Sequence, residues 1–250
     1  MLVHQLWLQG WKHAPESVQS RVADNARKWG EDAELKLWDD ASVVQLIQLS
    51  FPEHLQWYLG LQRIISKCDA ARAFILFAFG GIYADCDFDP NPRWIWSFAN
   101  IATQRVVFVG SPWYTANNFL IASPPKAAFW TDVFLPSVKQ ALDSPSMYDI
   151  LVSVAWSTWP VMSSSGPVAV GRMLQQRPDL AFALPPSTEY VFGFHGSRGE
   201  DRNSSWYRFK AHRVQQTAVL LLVVLALVGV AGIAKAAIRL VGPPTAFGCH

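Results

Sequence analysis

Residues 67–92, KCDAARAFILFAFGGIYADCDFDPNP, decide the fold of this chain. The first half has the pattern of an amphipathic helix, and Gly80-Gly81 is the usual signal for the C-terminal end of a helix. Ile82-Tyr83-Ala84 is short, apolar and β-prone, which predicts a central strand. The stretch therefore predicts a helix, a stop and a strand in immediate succession.

Three acids, Asp85, Asp87 and Asp89, alternate directly after the predicted strand. Alternate residues of an extended chain project to the same side. Crowded carboxylates repel one another, so a cation between them is favoured, and Mg²⁺ or Mn²⁺ is bound by one or two carboxylates together with substrate phosphates. The triplet is thus typical of a metal–diphosphate site, or of a solvated acidic turn closed by Pro90 and Pro92.

Outside this stretch, segments that suit strands alternate with segments that suit helices, which indicates an α/β sheet with parallel pairing in its first half. Ligands of such sheets bind beyond the carboxyl ends of the strands, where Trp7 and the Asp85–Asp87 pair would lie. Residues 145–165 show no clear period, and residues 193–206 are expected to form a polar loop. Strands are expected at residues 2–8, 34–38, 82–84, 105–109, 117–123 and 182–184, and helices at 15–29, 42–49, 52–61, 66–79, 126–142 and 166–176.

The composition excludes some classes of protein and leaves others open. A net charge of +2 and 16% charged residues give no sign of a nucleic-acid-binding surface. The twelve Trp and fifteen Phe fit sugar stacking, a membrane interface or a large core. Cys68, Cys86 and Cys249 include no CxxC pair and are odd in number, which excludes a disulfide framework and leaves the redox compartment open.

The C-terminal region contains a long apolar run. No charged residue occurs from Ala218 to Ala234, and the flanking residues extend the run to about the 20 residues that a membrane-spanning helix needs. No polar face appears at helical spacing, which disfavours a buried soluble helix. We expect a domain at residues 1–210, a transmembrane anchor at 217–238 and a tail at 239–250.

The flanks of this run bear on the orientation of the predicted anchor. Three basic residues precede it and two follow it, so the positive-inside rule favours a cytosolic main domain by one residue. The first residues lack the basic and apolar regions of a signal peptide and are expected to form a strand of the domain.

Six short blocks between residues 4 and 206 carry a resemblance to a known family. The blocks are His4-Gln-Leu-Trp7, Leu35-Lys-Leu-Trp-Asp39-Asp40, Asp69-Ala-Ala-Arg72 through Gly80-Gly-Ile-Tyr-Ala-Asp85-Cys-Asp87, Asn118 to Ser123, Ser165-Gly166-Pro167 and His195 with Ser204-Ser205-Trp206. In this order they resemble glycosyltransferases with a DXD sugar-binding motif, which include fungal α-1,6-mannosyltransferases and mannosyl inositol-phosphoceramide synthases.

The resemblance implies a GT-A-like fold, with a mixed and mostly parallel sheet flanked by helices, together with a nucleotide-sugar donor and a divalent cation, Mn²⁺ or Mg²⁺. Carried over by position, Asp85 would contact the ribose or sugar of the donor and Asp87 would ligate the metal. Asp69 and Arg72 would hold the sugar and phosphates, and Trp7 would stack on the nucleobase. Asp85, Asp87 and Arg72 are the candidate catalytic residues.

The closing block adds His195, Ser205 and Trp206, which would lie over the donor diphosphate, with His195 as a second metal ligand. Simpler interpretations stay open: Asp69–Arg72 as a helix-surface ion pair, Trp7 as a core residue and His195 as a loop histidine. The family varies at the position of Asp89, so we expect it to be structural.

The resulting prediction is a membrane-anchored, metal-dependent, retaining glycosyltransferase of the endomembrane system, such as the Golgi. It would transfer mannose from GDP-mannose to a glycan or an inositol-phosphoceramide-type lipid. The alternatives are a UDP-linked donor and a catalytically inactive, membrane-tethered nucleotide-sugar-binding or scaffold protein. A haloacid-dehalogenase-type phosphatase is disfavoured because Asp87-Phe-Asp-Pro90 lacks the Gly-Thr that follows the acids in that family.

Overall fold

The computed structural model describes residues 1–111, 114–155, 158–186 and 188–195, and its central feature is a six-stranded sheet between two layers of helices. The strands are β1 (Leu2–Leu6), β2 (Glu34–Trp38), β3 (Gly81–Ala84), β4 (Phe88–Pro90), β5 (Val106–Val109), β6 (Asn117–Ser123), β7 (Ala181–Ala183) and β8 (Gly193–His195). The α-helices are α1 (Glu16–Trp29), α2 (Asp40–Ser50), α3 (Leu55–Gly60), α4 (Ile64–Phe79), α5 (Ile95–Ile101), α6 (Leu135–Asp143), α7 (Met147–Ala155), α8 (Trp159–Ser164), α9 (Pro167–Gln176) and α10 (Glu189–Phe192).

The main sheet is mixed and mostly parallel, as the sequence predicts. Its strand order is β2-β1-β3-β6-β5-β7, and β4 pairs with β8 in a separate two-stranded sheet. Strand β1 runs parallel to β2 and β3, and β5 runs parallel to β7. Strand β6 runs antiparallel to both of its neighbours, β3 and β5. The end of β3 therefore lies beside the beginning of β6.

The side chains of β5 show how the sheet divides the core. Val106 and Phe108 belong to one apolar cluster, and Val107 and Val109 belong to the other. This alternation follows from the pleat of a strand, in which successive side chains point to opposite faces. Helices α2, α4, α6 and α9 cover the first face, whereas α1 and α5 cover the second. Both faces of the sheet are buried, which explains its nearly continuous apolar strands.

The two glycines after α4 have the backbone conformations that are needed to end this helix and begin β3. Gly80 and Gly81 have φ angles of 62° and 90°, which side-chain-bearing residues rarely adopt. A Cβ atom on Gly80 would lie 2.6 Å from the ring of Pro125, and one on Gly81 would lie 2.5 Å from the carbonyl oxygen of Leu2. The glycines let the chain leave α4 and enter β3 against β1.

A buried histidine, His4, joins β1 to the glycine pair that ends α4. The indole Nε1 of Trp38 donates to Nδ1 of His4 at 3.1 Å, so the proton of the ring lies on Nε2, which donates to the carbonyl oxygen of Gly80 at 2.9 Å. Burial lowers the pKa of His4 to about 4, and the ring is neutral at physiological pH. The His4 and Trp38 blocks noted in the sequence thus tie β1, β2 and the end of α4 together.

The structure differs from the sequence-based expectations in some local features, and residues 145–165 carried no expectation of a helix or a strand. The helix expected at residues 126–142 begins with a π-helical segment, Phe129–Phe134, before α6. The stretch at residues 145–165 that shows no clear period forms α7 and α8. The loop expected from Gly193 starts with β8, because this segment pairs with β4.

The predicted transmembrane anchor at residues 217–238, the tail at 239–250 and the closing block with Ser205 and Trp206 lie outside the described residues. Within the described part of the chain, no helix is long and apolar enough to cross a bilayer.

Candidate active site

The candidate site lies where β1 and β3 end. Trp7 follows β1 and Asp85 follows β3, so both lie at the same edge of the sheet, as the parallel pairing of these strands requires. Gln5 of β1 donates from Nε2 to the carbonyl oxygen of Asp85 at 3.5 Å, and Cys86 donates from Sγ to the carbonyl oxygen of Leu6 at 3.3 Å. The segment after β3 is thus fastened to the end of β1.

The acids of the DXD motif lie on a turn. The backbone N–H of Phe88 donates to the carbonyl oxygen of Asp85 at 3.0 Å, which closes a four-residue turn. Asp85 and Asp87 are partly exposed, whereas Cys86 is buried. The expectation of an extended chain through all three acids was therefore wrong, because the chain reverses between β3 and β4. The alternation of exposed acids and buried residues does occur.

Asp89 lies beyond this turn, in β4. Its carboxylate pairs with the ammonium group of Lys28 on α1, and both side chains are well exposed. Asp89 thus joins β4 to α1, in keeping with the structural role that the sequence analysis assigns to it.

Arg72 of α4 connects the elements that meet at this edge. Its Nη1 lies 3.1 Å from Oδ1 of Asp69 and donates to the carbonyl oxygen of Asn118 at 2.8 Å. Its Nη2 lies 3.2 Å from Oδ1 of Asp85. The guanidinium also lies over the ring of Tyr83, 4.7 Å from its centroid. Since the side chain is only 10% exposed, this is a buried cluster and not a helix-surface ion pair.

Asp69 is the buried acid of the cluster. Its Oδ1 accepts a hydrogen bond from Nδ2 of Asn118 at 3.0 Å, and its Oδ2 accepts one from Oγ of Ser165 at 2.6 Å. Burial raises the pKa of Asp69 to about 6, although Arg72, Ser165 and Asn118 oppose this rise. The carboxylate is therefore ionised at neutral pH and balances the charge of Arg72.

Asp85 is oriented by a second donor. The hydroxyl of Tyr83 donates to Oδ1 of Asp85 at 2.8 Å, the same oxygen that faces Arg72. Burial raises the pKa of Tyr83, so its hydroxyl keeps its proton and remains a donor. The Asp85 carboxylate is held in one orientation before any ligand is bound.

Sequence reasoning missed three residues of this cluster: Tyr83, Asn118 and Ser165. Each lies in one of the six blocks that carry the family resemblance, and Asn118 and Ser165 are the first residues of theirs. Their membership of these blocks was the signal from which the sequence could have identified them. Their roles depend on contacts with Asp69, Arg72 and Asp85 that only the fold creates.

The residues at the turn fit a divalent cation that is completed by its substrate. Within the described ranges, no group of three Asp, Glu, His or Cys side chains could hold a metal by itself. Mg²⁺ and Mn²⁺, however, prefer oxygen ligands, and Mg²⁺ is commonly held by one or two carboxylates plus phosphate oxygens and water. Asp87 and Asp85 are the carboxylates that could hold such an ion.

The structure gives the position of His195 and Trp7 but does not test their predicted roles. The backbone of His195 pairs with that of Phe88, which follows Asp87 in the chain, so β8 reaches the DXD turn. Trp7 is partly exposed, and its indole Nε1 is buried without a hydrogen-bond partner among the described residues. Metal binding by His195 and nucleobase stacking by Trp7 stay predictions.

Comparison with known proteins finds a family model that matches the part of the chain around the DXD motif. Residues 15–106 match the family model described as "Glycosyltransferase sugar-binding region containing DXD motif". The resemblance to DXD glycosyltransferases is confirmed. The matched DXD region contains Asp69, Arg72, Asp85 and Asp87, whereas Asn118 and Ser165 lie beyond it.

Curated relatives match parts of the chain. An uncharacterized glycosyltransferase of Acanthamoeba polyphaga mimivirus is 31% identical over 87 residues, which is 34% of each chain. Inositol phosphoceramide mannosyltransferase 3 of Schizosaccharomyces pombe is 27% identical over 140 residues, covering 51% of this chain and 37% of the relative. The chain thus spans about a third of the length of these relatives.

A solved structure named PaToxG Glycosyltransferase has a TM-score of 0.44 and 14% identity, covering 87% of this chain and 77% of that one. A similarity at this level carries no argument about fold or function.

Proposed function

We propose that this chain is a metal-dependent, retaining glycosyltransferase with a GT-A-like fold, and that GDP-mannose is its donor. The observation that carries the proposal is Arg72, which links Asp69 to Asp85 inside the DXD region. A buried ion pair is costly to desolvate, so its presence behind a partly exposed acid pair is better explained by the need to hold Asp85 than by stability.

The chemistry requires charge neutralisation at the leaving group. When a sugar leaves a nucleotide diphosphate, negative charge grows on the phosphate oxygens, and a divalent cation acts as the Lewis acid that stabilises it. Asp87 and Asp85 would hold that cation. Arg72 and Tyr83 fix the direction of the Asp85 carboxylate, so this acid is oriented before the donor binds.

The cluster also bears on the stereochemistry. Asp69 is a poor candidate for a covalent nucleophile, because it is buried and both of its oxygens accept hydrogen bonds. Retention would then follow from front-face attack. The bond from the anomeric carbon to the phosphate oxygen breaks, the acceptor oxygen bonds to that carbon on the same face, and the acceptor proton passes to the leaving phosphate.

The donor sugar and the acceptor are proposed from the relatives. One of them carries the name inositol phosphoceramide mannosyltransferase, which supports mannose as the sugar and an inositol-phosphoceramide-type lipid or a glycan as acceptor. The uncharged run at residues 218–234 supports a membrane anchor near such a lipid. An endomembrane location such as the Golgi is proposed from the family resemblance.

A calorimetric donor screen tests the proposal on the full chain. GDP-mannose, UDP-glucose and UDP-N-acetylglucosamine are titrated with and without Mn²⁺, and hydrolysis of the bound donor is followed. We expect Mn²⁺-dependent binding and turnover of GDP-mannose. Asp87→Asn should abolish both, while the matched Asp89→Asn, outside the turn, should keep them.

Each other outcome has a distinct meaning. Preference for a UDP-sugar would replace the donor and keep the reaction class. Binding without turnover of any donor would identify an inactive nucleotide-sugar-binding protein. Activity that survives both Asp87→Asn and chelation would refute the metal site.

A further inference from the structure

Helix α7 presents its apolar residues to solvent. Met147, Ile150 and Leu151 are spaced three and four residues apart and share a face, and Tyr148 lies next to them. Their exposed fractions are 70% for Met147, 61% for Tyr148, 44% for Ile150 and 63% for Leu151. These four residues are called the α7 face below.

The acid of the same helix points inward. Oδ1 of Asp149 accepts a hydrogen bond from the indole Nε1 of Trp159 at 2.9 Å and lies 3.7 Å from Nη2 of Arg172 on α9. Its Oδ2 accepts from the hydroxyl of Ser146 at 2.6 Å. These contacts with α8 and α9 fix the rotation of α7, and the α7 face is therefore held outward.

This orientation is the reverse of that expected for a surface helix, which buries its apolar stripe and exposes its polar one. Isolated exposed apolar residues are common and need no explanation. Four of them on a nine-residue helix, with the carboxylate turned inward, form a continuous patch that indicates a partner.

The chain itself indicates which partner. The apolar run at residues 218–234 has the length and composition of a membrane span, and 22 residues, 196–217, separate it from the end of β8. Fully extended, this connection reaches about 75 Å, so the span would keep the domain close to the bilayer at high effective concentration. A short amphipathic helix binds a bilayer weakly alone but suffices as a second attachment.

We propose that the α7 face lies on a lipid bilayer. Aliphatic side chains such as Met147, Ile150 and Leu151 would enter the boundary of the acyl chains, while the ring of Tyr148 suits the level of the headgroups. Tyr148 also packs edge-on against Trp159, with ring centroids 6.0 Å apart. This attachment rests on the membrane anchor proposed at residues 218–234, but it does not depend on the proposed transfer reaction.

The test measures the depth of single labelled positions in the full chain. Leu151→Cys on the α7 face is compared with Leu49→Cys on α2, another helical leucine, which is 75% exposed. Both are made in a Cys249→Ser background. Burial raises the pKa of the thiols of Cys68 and Cys86 to about 12, so these native cysteines react slowly.

An environment-sensitive nitrobenzoxadiazole label is attached, and the protein is reconstituted into phosphatidylcholine vesicles with or without nitroxide-bearing lipids. We expect the label at position 151 to emit at shorter wavelength and to be quenched by the nitroxide lipids. The label at position 49 should emit as in water and remain unquenched. Circular dichroism of both labelled proteins checks that the fold is intact.

Two results would overturn the proposal. If both labels emit as in water, the α7 face is not covered. If the label at position 151 is shielded but not quenched by the lipids, protein covers the face, either a second copy or another segment of the chain. Donor binding, measured separately, would be unaffected in each case, so failure of this proposal is distinguishable from failure of the proposed function.

Discussion

The hydroxyl of Ser165 donates a 2.6 Å hydrogen bond to Oδ2 of Asp69. This contact joins the residue before Gly166-Pro167 to the middle of α4, so the second half of the chain completes the environment of an acid in the DXD region. A residue outside the matched segment thereby stabilises the charge pair inside it.

Removing this hydroxyl should destabilise the protein. We expect Ser165→Ala to lower the free energy of unfolding by about 1–3 kcal/mol, since a buried carboxylate loses a donor. Ser164→Ala is the matched control, because among the described residues that neighbouring buried hydroxyl donates to the carbonyl oxygen of Pro160 and not to a carboxylate. Urea denaturation of the three proteins measures the difference, and equal losses in both variants would refute the special role of Ser165.

The pKa of Asp69 predicts a pH dependence of stability. Because burial raises it to about 6 from an ordinary value near 3.8, the folded state binds more protons than the unfolded state between these values. The contribution of this group to stability should therefore fall as pH rises from about 4 to about 6. Asp69→Asn should remove that slope, which denaturation across this pH range will measure. An unchanged slope in the variant would assign it to other groups.

Tyr83 should act on cation affinity through Asp85. If the turn binds Mn²⁺ with a nucleotide diphosphate, Tyr83→Phe removes the donor that orients Asp85, and such indirect contacts change metal affinity by roughly 10–100-fold. Titration of Mn²⁺ in the presence of GDP measures this. Tyr58→Phe, whose hydroxyl bonds Asp40 at 3.1 Å instead, should leave the affinity unchanged. Equal Mn²⁺ affinities of the unmodified protein, Tyr83→Phe and Tyr58→Phe would mean that Asp85 does not need the Tyr83 hydroxyl to orient it.

Gly81 should not tolerate a side chain. Its φ of 90° and the 2.5 Å approach of a Cβ to the carbonyl oxygen of Leu2 both oppose Gly81→Ala. The conformation alone should cost about 1–2 kcal/mol of unfolding free energy, with the steric clash adding to this. Gly60→Ala is the control, since a Cβ there meets nothing within 4 Å. Thermal unfolding should give a clearly lower midpoint for Gly81→Ala than for Gly60→Ala. Similar midpoints would contradict the requirement for glycine at position 81.

Much of the fold around Gly80-Gly81 could be predicted because its signals are local. The glycine pair and the β-prone segment each carry their own preference, and the structure places α4 and β3 within two residues of the expectation. The amphipathic pattern expected of α4 was wrong, because every residue from Asp69 to Leu76 is buried. The turn at Asp85–Phe88 was one of two interpretations left open, because alternating acids fit an extended chain and a turn equally well.

The contacts within the candidate site could not be predicted in the same way. The contact of Arg72 with Asn118 requires β6 to pair antiparallel with β3. The contact of Asp69 with Ser165 requires α9 to pack against this part of the sheet. No periodicity in the sequence specifies such pairs. Helix α7 escaped detection for a related reason, because Asp149 faces inward and its polar partners are supplied by α8 and α9.

The ring of His4 offers a spectroscopic view of the sheet edge opposite the DXD turn, where α4 ends and β3 begins. With Nδ1 accepting from Trp38 and Nε2 donating to Gly80, a single neutral tautomer is enforced. The two ring nitrogens should therefore show distinct ¹⁵N chemical shifts at neutral pH. Collapse of that difference would report that β1 has separated from the end of α4, even when overall helix content is unchanged.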